Sequence, residues 1–130
     1  MKKVLNFLKE SGTFYLATCE GQQPRVRPFG AVAEFEGKLY IVTNNQKKVF
    51  QQLLQNPKFE ISAMVQQEWI RVEGQAILDS RKAARDQMLE ENPSLSQMYS
   101  AEDGLMEVFY IQDGIATIYS FGGTPEVIKL

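Results

Sequence analysis

The stretch LYIVTNNQKKVFQQLLQNPKFEIS, residues 39–62, changes its pattern twice and constrains how the rest of the chain is arranged. The start of this stretch, together with Lys38 before it, is rich in β-branched and aromatic residues and predicts a strand over residues 38–43. From 46 to 55, apolar residues recur four positions apart, which predicts a helix. Asn56-Pro57 ends that helix, and 58–65 predicts a further strand.

Outward from this stretch, short strands predominate. Two more helices are expected, a short amphipathic one that Ser11-Gly12 stops and a charged one from Asp79-Ser80 to about Glu91. The other predicted strands cover residues 13–19, 25 to about 35, 68–78, 107–112 and 115–121, with a short one at 126–130. Strands joined by short turns favour antiparallel pairing. We therefore expect a mainly β fold with flanking helices, about six antiparallel strands in a closed or nearly closed barrel, and a single domain over residues 1–130.

Composition excludes several classes of function. The 130 residues hold 14 Lys and Arg against 16 Asp and Glu, and this balance argues against general binding of nucleic acid. There is no histidine and one cysteine, Cys19, so histidine-based catalysis, an internal disulfide and histidine- or cysteine-rich metal sites are excluded. No apolar run is long enough to span a bilayer, and no secretion signal follows the first lysines. We expect a cytoplasmic protein without a metal and without a membrane partner.

The turn from the strand at 38–43 into the following helix is a candidate anion site. Its sequence is Thr43-Asn44-Asn45-Gln46-Lys47-Lys48, and Asn44 or Asn45 is suited to cap the helix. Two lysines at the positive end of a helix dipole are unfavourable by a few tenths of a kcal/mol unless an anion is bound there. A phosphate would engage the free N–H groups, the Thr43 hydroxyl and a lysine together. The alternative is a pair of solvated surface lysines.

Two other groups of residues combine charge with aromatic or rigid neighbours. Alternation places Arg25 and Arg27 on one face of their strand, and Pro28 removes a ladder donor, so this strand is locally unpaired or lies at an edge. Either these arginines meet an anion or they belong to a polar outer face. In 68–78, Trp69 and Arg71 lie opposite the apolar face that contains Ile70, Val72 and Ala76. Trp69 is either a stacking surface for a planar ligand or an apolar anchor at a core edge or subunit interface.

Taken in order, these pieces resemble a known family. PRVRPFG at 24–30, the Glu-Gly turn, the 39–62 stretch and WIRVEGQAIL at 69–78 look like the pyridoxamine-5′-phosphate-oxidase-like FMN-binding split barrel. The similarity covers about residues 10–80 and is nearest to the nitroimidazole-resistance (Nim) and general-stress-protein branches. It implies a six-stranded antiparallel split β-barrel.

The resemblance also implies a cofactor site. The FMN phosphate would be held by Arg25 and by Lys47 or Lys48, with Thr43 and Asn44 nearby. The strand of Val26, Arg27, Pro28 and Phe29 would run along the isoalloxazine, and Trp69 and Arg71 would lie beside the flavin. In this family the active unit is a homodimer with FMN at the interface, so Tyr119 or Phe121 of the second chain is expected to cover the ring.

The chain also departs from the family. It lacks the tail tryptophan and the histidine with which true pyridoxamine-phosphate oxidases grip their substrate, so oxidation of vitamin B6 is not expected. The resemblance implies an FMN-dependent oxidoreductase, a reductase of a small electron-poor molecule such as a nitroaromatic, with NAD(P)H as a transient donor. No catalytic residue is identified. The alternatives are a module or sensor that binds FMN or the deazaflavin F420 without dedicated catalysis, and a barrel without a cofactor that acts through its dimer.

Overall fold

The computed structural model describes all 130 residues, which form eight strands and three α-helices. The helices are α1 (Lys2–Ser11), α2 (Lys48–Gln55) and α3 (Lys82–Glu91), and a 3₁₀ turn covers Pro93–Gln97. The strands are β1 (Phe14–Glu20), β2 (Gln23–Phe29), β3 (Val32–Phe35), β4 (Lys38–Asn44), β5 (Lys58–Val65), β6 (Glu68–Asp79), β7 (Met106–Ser120) and β8 (Glu126–Lys129). The prediction of a mainly β fold with flanking helices is confirmed, with eight strands where about six were expected.

All strands pair antiparallel, as the short connections predicted, in the order β2-β1-β5-β6-β7-β4-β3. The eighth strand, β8, pairs with β7 off this path. The sheet does not close, because β2 and β3 remain at its two ends. This open, split arrangement agrees with the split-barrel expectation, and the edge position of β2 is what Pro28 indicated.

The single strand predicted from Arg25 to about Phe35 is wrong. The chain leaves β2 at Phe29 and begins β3 at Val32, and these two strands lie at opposite ends of the sheet. Gly30 and Ala31 make the crossing between them. The residues before and after the crossing both have the composition of a strand, so the sequence pattern alone does not show where one strand ends and the next begins. The crossing matters because it brings the end of β2 close to the turn that follows β4.

The break predicted at Asp113-Gly114 is also wrong, since β7 is one strand through these residues. Asp113 has a positive φ of 54°, and the register of β6 against β7 shifts opposite it, at Gly74. A Cβ at Gly74 would lie 3.0 Å from the carbonyl oxygen of Gln112. The turn-like pair is therefore a bulge that bends a long strand, and glycine at position 74 avoids a tight contact where the two backbones approach.

The core has two parts. The larger lies inside the barrel and under α1 and α2, and it includes Ile70, Val72 and Ala76, the face predicted from alternation in β6. The smaller lies between α3 and strands β3, β4 and β7, around Tyr40 and Met88. No helix is long and apolar enough to cross a membrane.

Helix α3 begins later than predicted. Asp79 is the last residue of β6, and the helix starts at Lys82 after Arg81. The Asp79 carboxylate does not cap the helix by its side chain. It accepts hydrogen bonds from the backbone and side-chain nitrogens of Arg81 and from the buried hydroxyl of Tyr40. Asp79 therefore ties the end of β6 to β4 instead of starting a helix.

Candidate functional site at the split of the barrel

A cleft of about 310 Å³ opens where β2 crosses to β3. Its walls come from the end of β2, the end of β4, the start of α2 and the segment around the 3₁₀ turn. The lining residues are Arg27, Pro28, Phe29, Gly30, Ala31, Val42, Thr43, Lys47, Val49, Asn92, Ser94, Leu95, Met98 and Tyr99. Five of the residues predicted from the sequence are thereby brought together: Arg27, Pro28, Phe29, Thr43 and Lys47.

Arg27 lines the cleft, and its guanidinium has no acidic partner. Its guanidinium donates to the carbonyl oxygen of Leu16 (3.1 Å), to the Thr18 hydroxyl (2.8 Å) and to the Gln52 amide oxygen (2.6 Å). Thr18 also donates to that Gln52 oxygen, and both residues are buried. Partial burial, together with the nearby charge of Arg25, holds the pKa of Arg27 below its usual value. The neutral partners fix the guanidinium, and its charge remains available to an anion.

Lys47 immediately precedes α2 and lines the same cleft. It forms no salt bridge. The prediction that Asn44 or Asn45 caps α2 is wrong, since Lys47 is at the N-cap and no side chain bonds to the first turn. The Asn44 side chain accepts from the backbone N–H of Gln46 instead, and that of Asn45 donates to Gly104 and Glu107. The N–H groups of the first helical turn thus have no side-chain acceptor and carry the positive end of the helix dipole.

Thr43 supplies the most unusual feature of the cleft. The residue is 5% exposed, and its hydroxyl oxygen is buried without a hydrogen-bond partner. It is the one buried side-chain polar atom of the chain in that condition. A buried hydroxyl without a partner costs about 1–3 kcal/mol, so such groups require an explanation. Because Thr43 also lines the cleft, with Arg27 and Lys47, its hydroxyl is a candidate donor to an acceptor atom of a ligand bound there.

The wall around the 3₁₀ turn was missed in the sequence. Asn92, Ser94, Leu95, Met98 and Tyr99 all line the cleft. Tyr99 is tied to the opposite side, because its hydroxyl accepts a hydrogen bond of 2.9 Å from the Asn44 side chain. No motif marked this segment, and only the long-range contact between α3 and the β3–β4 hairpin brings it to the cleft.

Four predicted site residues, Arg25, Val26, Asn44 and Lys48, lie within two positions of a lining residue in the sequence without lining the cleft themselves. Arg25 forms an exposed ion pair with Glu20 at 2.9 Å. That bond, with a smaller contribution from Lys48, holds the pKa of Glu20 below its usual value. Asn44 acts through Tyr99, and Val26 points to the outer face of the sheet, where it is exposed.

Trp69 and Arg71 lie on the outer face of β6 and line none of the larger cavities. Trp69 stacks on Tyr119 with ring centroids 5.5 Å apart and an interplanar angle of 12°, and it also contacts Phe121. The Arg71 guanidinium lies 5.3 Å from the centre of the Tyr119 ring. Within one chain, these residues form an aromatic cluster of their own. Their contact with a flavin stays a prediction, and it depends on a second chain.

The cleft combines two cations, a helix N-terminus and a buried free hydroxyl with a partly apolar lining. This is the arrangement of a binding site for a ligand with an anionic end and an apolar body, in an open antiparallel barrel. The chain belongs to the pyridoxamine 5′-phosphate oxidase family, whose model matches residues 1–114.

Solved structures extend this assignment. A NimC/NimA family protein from Clostridium acetobutylicum is 55% identical, with a TM-score of 0.96 over 100% of this chain and 93% of its own. The general stress protein 26 of Bacillus anthracis is 22% identical, with a TM-score of 0.76 over 99% and 97%. A pyridoxamine 5′-phosphate oxidase-related, FMN-binding protein of Nostoc punctiforme is 13% identical, with a TM-score of 0.64 over 99% and 93%. The last two show the same fold. Comparison with curated proteins finds no match.

Proposed function

We propose that this protein binds FMN in the cleft, with the phosphate held by Arg27, Lys47 and Thr43 at the start of α2. The observation that carries the proposal is the Thr43 hydroxyl, which is buried without a hydrogen-bond partner in a residue that lines the cleft. An anionic oxygen would accept from this hydroxyl and from the N–H groups of the first helical turn. The structurally similar Nostoc protein is described as FMN-binding, which supports the choice of this phosphate ligand.

The residues present fit a phosphate better than a carboxylic acid or a neutral head group. Arg27 and Lys47 give two positive charges, and neither has a carboxylate partner to displace. Phosphate offers three acceptor oxygens and close to two negative charges, so it can engage a guanidinium, an ammonium and a helix N-terminus together. Arg27 replaces Arg25 in this role, since Arg25 is already paired with Glu20.

The remaining lining suits the flavin body. Pro28, Phe29, Gly30 and Ala31 follow Arg27 along one side of the cleft and contribute apolar surface with backbone groups between. Bound FMN would supply the electron transfer, and the chain would anchor the phosphate, orient the ring and exclude water. We propose that the protein reduces a small electron-poor molecule such as a nitroaromatic, with NAD(P)H as a transient donor. The 55% identical relative is a NimC/NimA family protein, which supports a common chemistry.

The test of the phosphate site uses two adjacent lysines. Lys47→Ala should weaken the binding of FMN by about 1.5–3 kcal/mol, because a charge-assisted contact is lost. The binding of riboflavin, which has no phosphate, should be weakened much less. Lys48→Ala is the matched control, since Lys48 does not line the cleft, and it should change FMN binding by a few tenths of a kcal/mol. Flavin fluorescence titration gives both dissociation constants.

Equal losses of FMN and riboflavin in Lys47→Ala would contradict the phosphate role of Lys47. A wild-type protein that binds neither flavin would refute the proposed function as a whole. Turnover is measured separately with NADH or NADPH and nitrofurazone on the FMN-loaded protein. Tight FMN binding without turnover of this substrate would favour a flavin-binding module over the proposed reductase.

We also propose that the protein is a homodimer that uses the outer face of the sheet. Exposed apolar side chains gather there beside the Trp69 cluster; they are Tyr15, Val26, Met64 and Phe121. Aromatic residues, methionine and arginine are enriched in protein interfaces, and an exposed apolar patch of this kind marks a contact surface.

Sedimentation at micromolar concentration should give about twice the chain mass of 14.8 kDa. Met64→Lys puts a charge on the outer face opposite Trp69 and should shift the species to a monomer, because a charge without a partner is costly to bury. Leu54→Lys, on the exposed side of α2, is the control and should remain dimeric. A wild-type monomer that binds FMN would contradict the proposed dimer.

A further inference from the structure

The wall around the 3₁₀ turn differs in chemistry from the rest of the cleft. It consists of Asn92, Ser94, Leu95, Met98 and Tyr99, none of which is charged. Both cations of the cleft, Arg27 and Lys47, belong to the other elements. The cleft is thus divided into a charged side and a neutral side, and the two sides suit different parts of a ligand or different ligands.

The polar groups of this wall are mostly engaged. The Asn92 side chain donates to the carbonyl oxygens of Val32 and Met88 at 2.9 and 3.1 Å. The Tyr99 hydroxyl accepts from Asn44 and keeps its own proton free for one acceptor. The wall can therefore give a weakly polar group a hydrogen bond, but it offers an anion no compensating charge.

Met98 is the apolar centre of this side. Met98 is 69% exposed although it lines a cleft, and Leu95 packs partly buried beside it against the smaller core. An exposed methionine beside a cavity is a flexible, polarisable surface that adapts to planar apolar molecules. Nothing within the chain covers Met98, so a ligand that stacks on it would bury apolar surface at no cost in displaced contacts.

We propose that Leu95, Met98 and Tyr99 form the substrate-contacting wall of the cleft and select an uncharged planar molecule over an anionic one. The inference rests on the proposed function, because FMN phosphate at Arg27 and Lys47 leaves no lining cation for a second anion. A phosphate ester or carboxylate at the wall would lose water without gaining a counter-charge. A neutral ring would contact Met98, and an uncharged acceptor such as a nitro oxygen would accept a hydrogen bond from the Tyr99 hydroxyl.

Direct binding to the FMN-loaded protein tests this wall without turnover. Nitrobenzene, 4-nitrobenzoate and 4-nitrophenyl phosphate are titrated separately, and the perturbation of the flavin absorbance reports binding. Nitrobenzene should bind roughly tenfold more tightly than either anion, a discrimination within the usual range for a hydrophobic pocket. Equal or tighter binding of an anion, or no perturbation by nitrobenzene, would overturn the inference.

Variants of Met98 assign the effect to the wall. At saturating FMN, Met98→Ala should weaken nitrobenzene roughly fivefold to tenfold, and Met98→Leu should restore it because apolar volume returns. Met98→Lys supplies the missing charge and should reverse the preference toward 4-nitrobenzoate. Leu54→Ala, at an exposed position on α2 outside the cleft, should leave all three titrations unchanged.

Failure of this inference is separable from failure of the proposed function. FMN affinity is measured for every variant before the probes are added. FMN binding with unchanged probe affinities in Met98→Ala and Met98→Lys removes the wall from substrate selection and leaves the cofactor site intact. A wild-type protein that does not take up FMN refutes the cofactor site itself.

Discussion

Two hydroxyl groups on the same strand, β4, have opposite surroundings. The Tyr40 hydroxyl donates to Asp79 at 2.7 Å, and Asp79 in turn accepts from Arg81 at 2.9 Å. Three residues further on, the Thr43 hydroxyl has no partner although it is as deeply buried as the core. One end of the strand thus has a cation, an acid and a hydroxyl in a closed network, and the other has a hydroxyl without a partner beside a cleft whose lining includes two cations and no acid.

The pKa values follow this difference. Hydrogen bonds from Arg81 lower the pKa of Asp79 to about 2, and burial next to that acid raises the pKa of Tyr40 to about 12. At the other end, burial without an acid lowers the pKa of Arg27 instead. A network whose charges compensate one another contributes to stability, whereas cations left uncompensated in a cleft are suited to a ligand's charge.

Breaking the closed network should have the largest effect on the protein. Asp79→Ala leaves the buried Tyr40 hydroxyl without an acceptor and Arg81 with Glu36 as its only acidic partner. We expect a loss of about 3 kcal/mol in the free energy of unfolding, from the orphaned hydroxyl and the broken ion pair together. Urea denaturation followed by Trp69 fluorescence measures it, and FMN affinity per folded molecule should not change.

The pH dependence of this loss provides the control. The pKa of Asp79 is lowered from 3.8 to about 2, so its stabilising contribution is fully present above pH 4 and is lost as the pH falls through about 2. The difference in stability between wild type and Asp79→Asn should therefore be constant from pH 7 to pH 5 and shrink between pH 4 and pH 2. A difference that does not change over that range would contradict the assigned ion pair.

Features that depend on residues close together in the sequence were predicted correctly. The inward face of β6, the helix after β4 and the antiparallel pairing all follow from periodicity and short connections. The crossing at Gly30 could not be predicted, because β2 and β3 have similar strand composition and their separation depends on which strands they pair with. The bulge at Asp113 resembled a turn for a different reason, because bulges and tight turns both use residues with a positive φ.

The same limit applies to the candidate site. Alternation placed Arg25 and Arg27 on one face, which the register confirms. The family resemblance assigned the phosphate to Arg25, whereas the pattern itself does not distinguish the two arginines. That choice depends on Glu20, which pairs with Arg25, and on Gln52 of α2, which bonds Arg27. No sequence pattern indicated that Met98 and Tyr99 line the cleft. Their position there depends on how α3 packs on a hairpin some 60 residues earlier in the chain.

Arg25 and Arg27 give a second test of the contrast between the two ends of β4. Arg27→Gln should weaken FMN binding by about 2 kcal/mol, since it removes a positive charge that has no acidic partner. Arg25→Gln should change FMN affinity by no more than a few tenths of a kcal/mol, because Arg25 lies in an exposed ion pair with Glu20. Isothermal titration of each apo-protein with FMN measures both. A larger effect at Arg25 would return the phosphate to the position that the family resemblance suggested.

The smallest effect is also the most specific, because two measurements should move in opposite directions. Thr43→Val keeps the shape of the side chain and removes a buried hydroxyl that has no partner in the chain. The apo-protein should keep its stability or gain up to about 1 kcal/mol, since no unsatisfied group remains to be desolvated. FMN should bind about 1 kcal/mol more weakly, because the phosphate loses a donor.

Thr18→Val is the matched control, since the Thr18 hydroxyl bonds Gln52 and Arg27 and its loss should destabilise the apo-protein. A destabilised Thr43→Val with unchanged FMN affinity would mean that the hydroxyl serves the fold, and the contrast between the two ends of β4 would be lost.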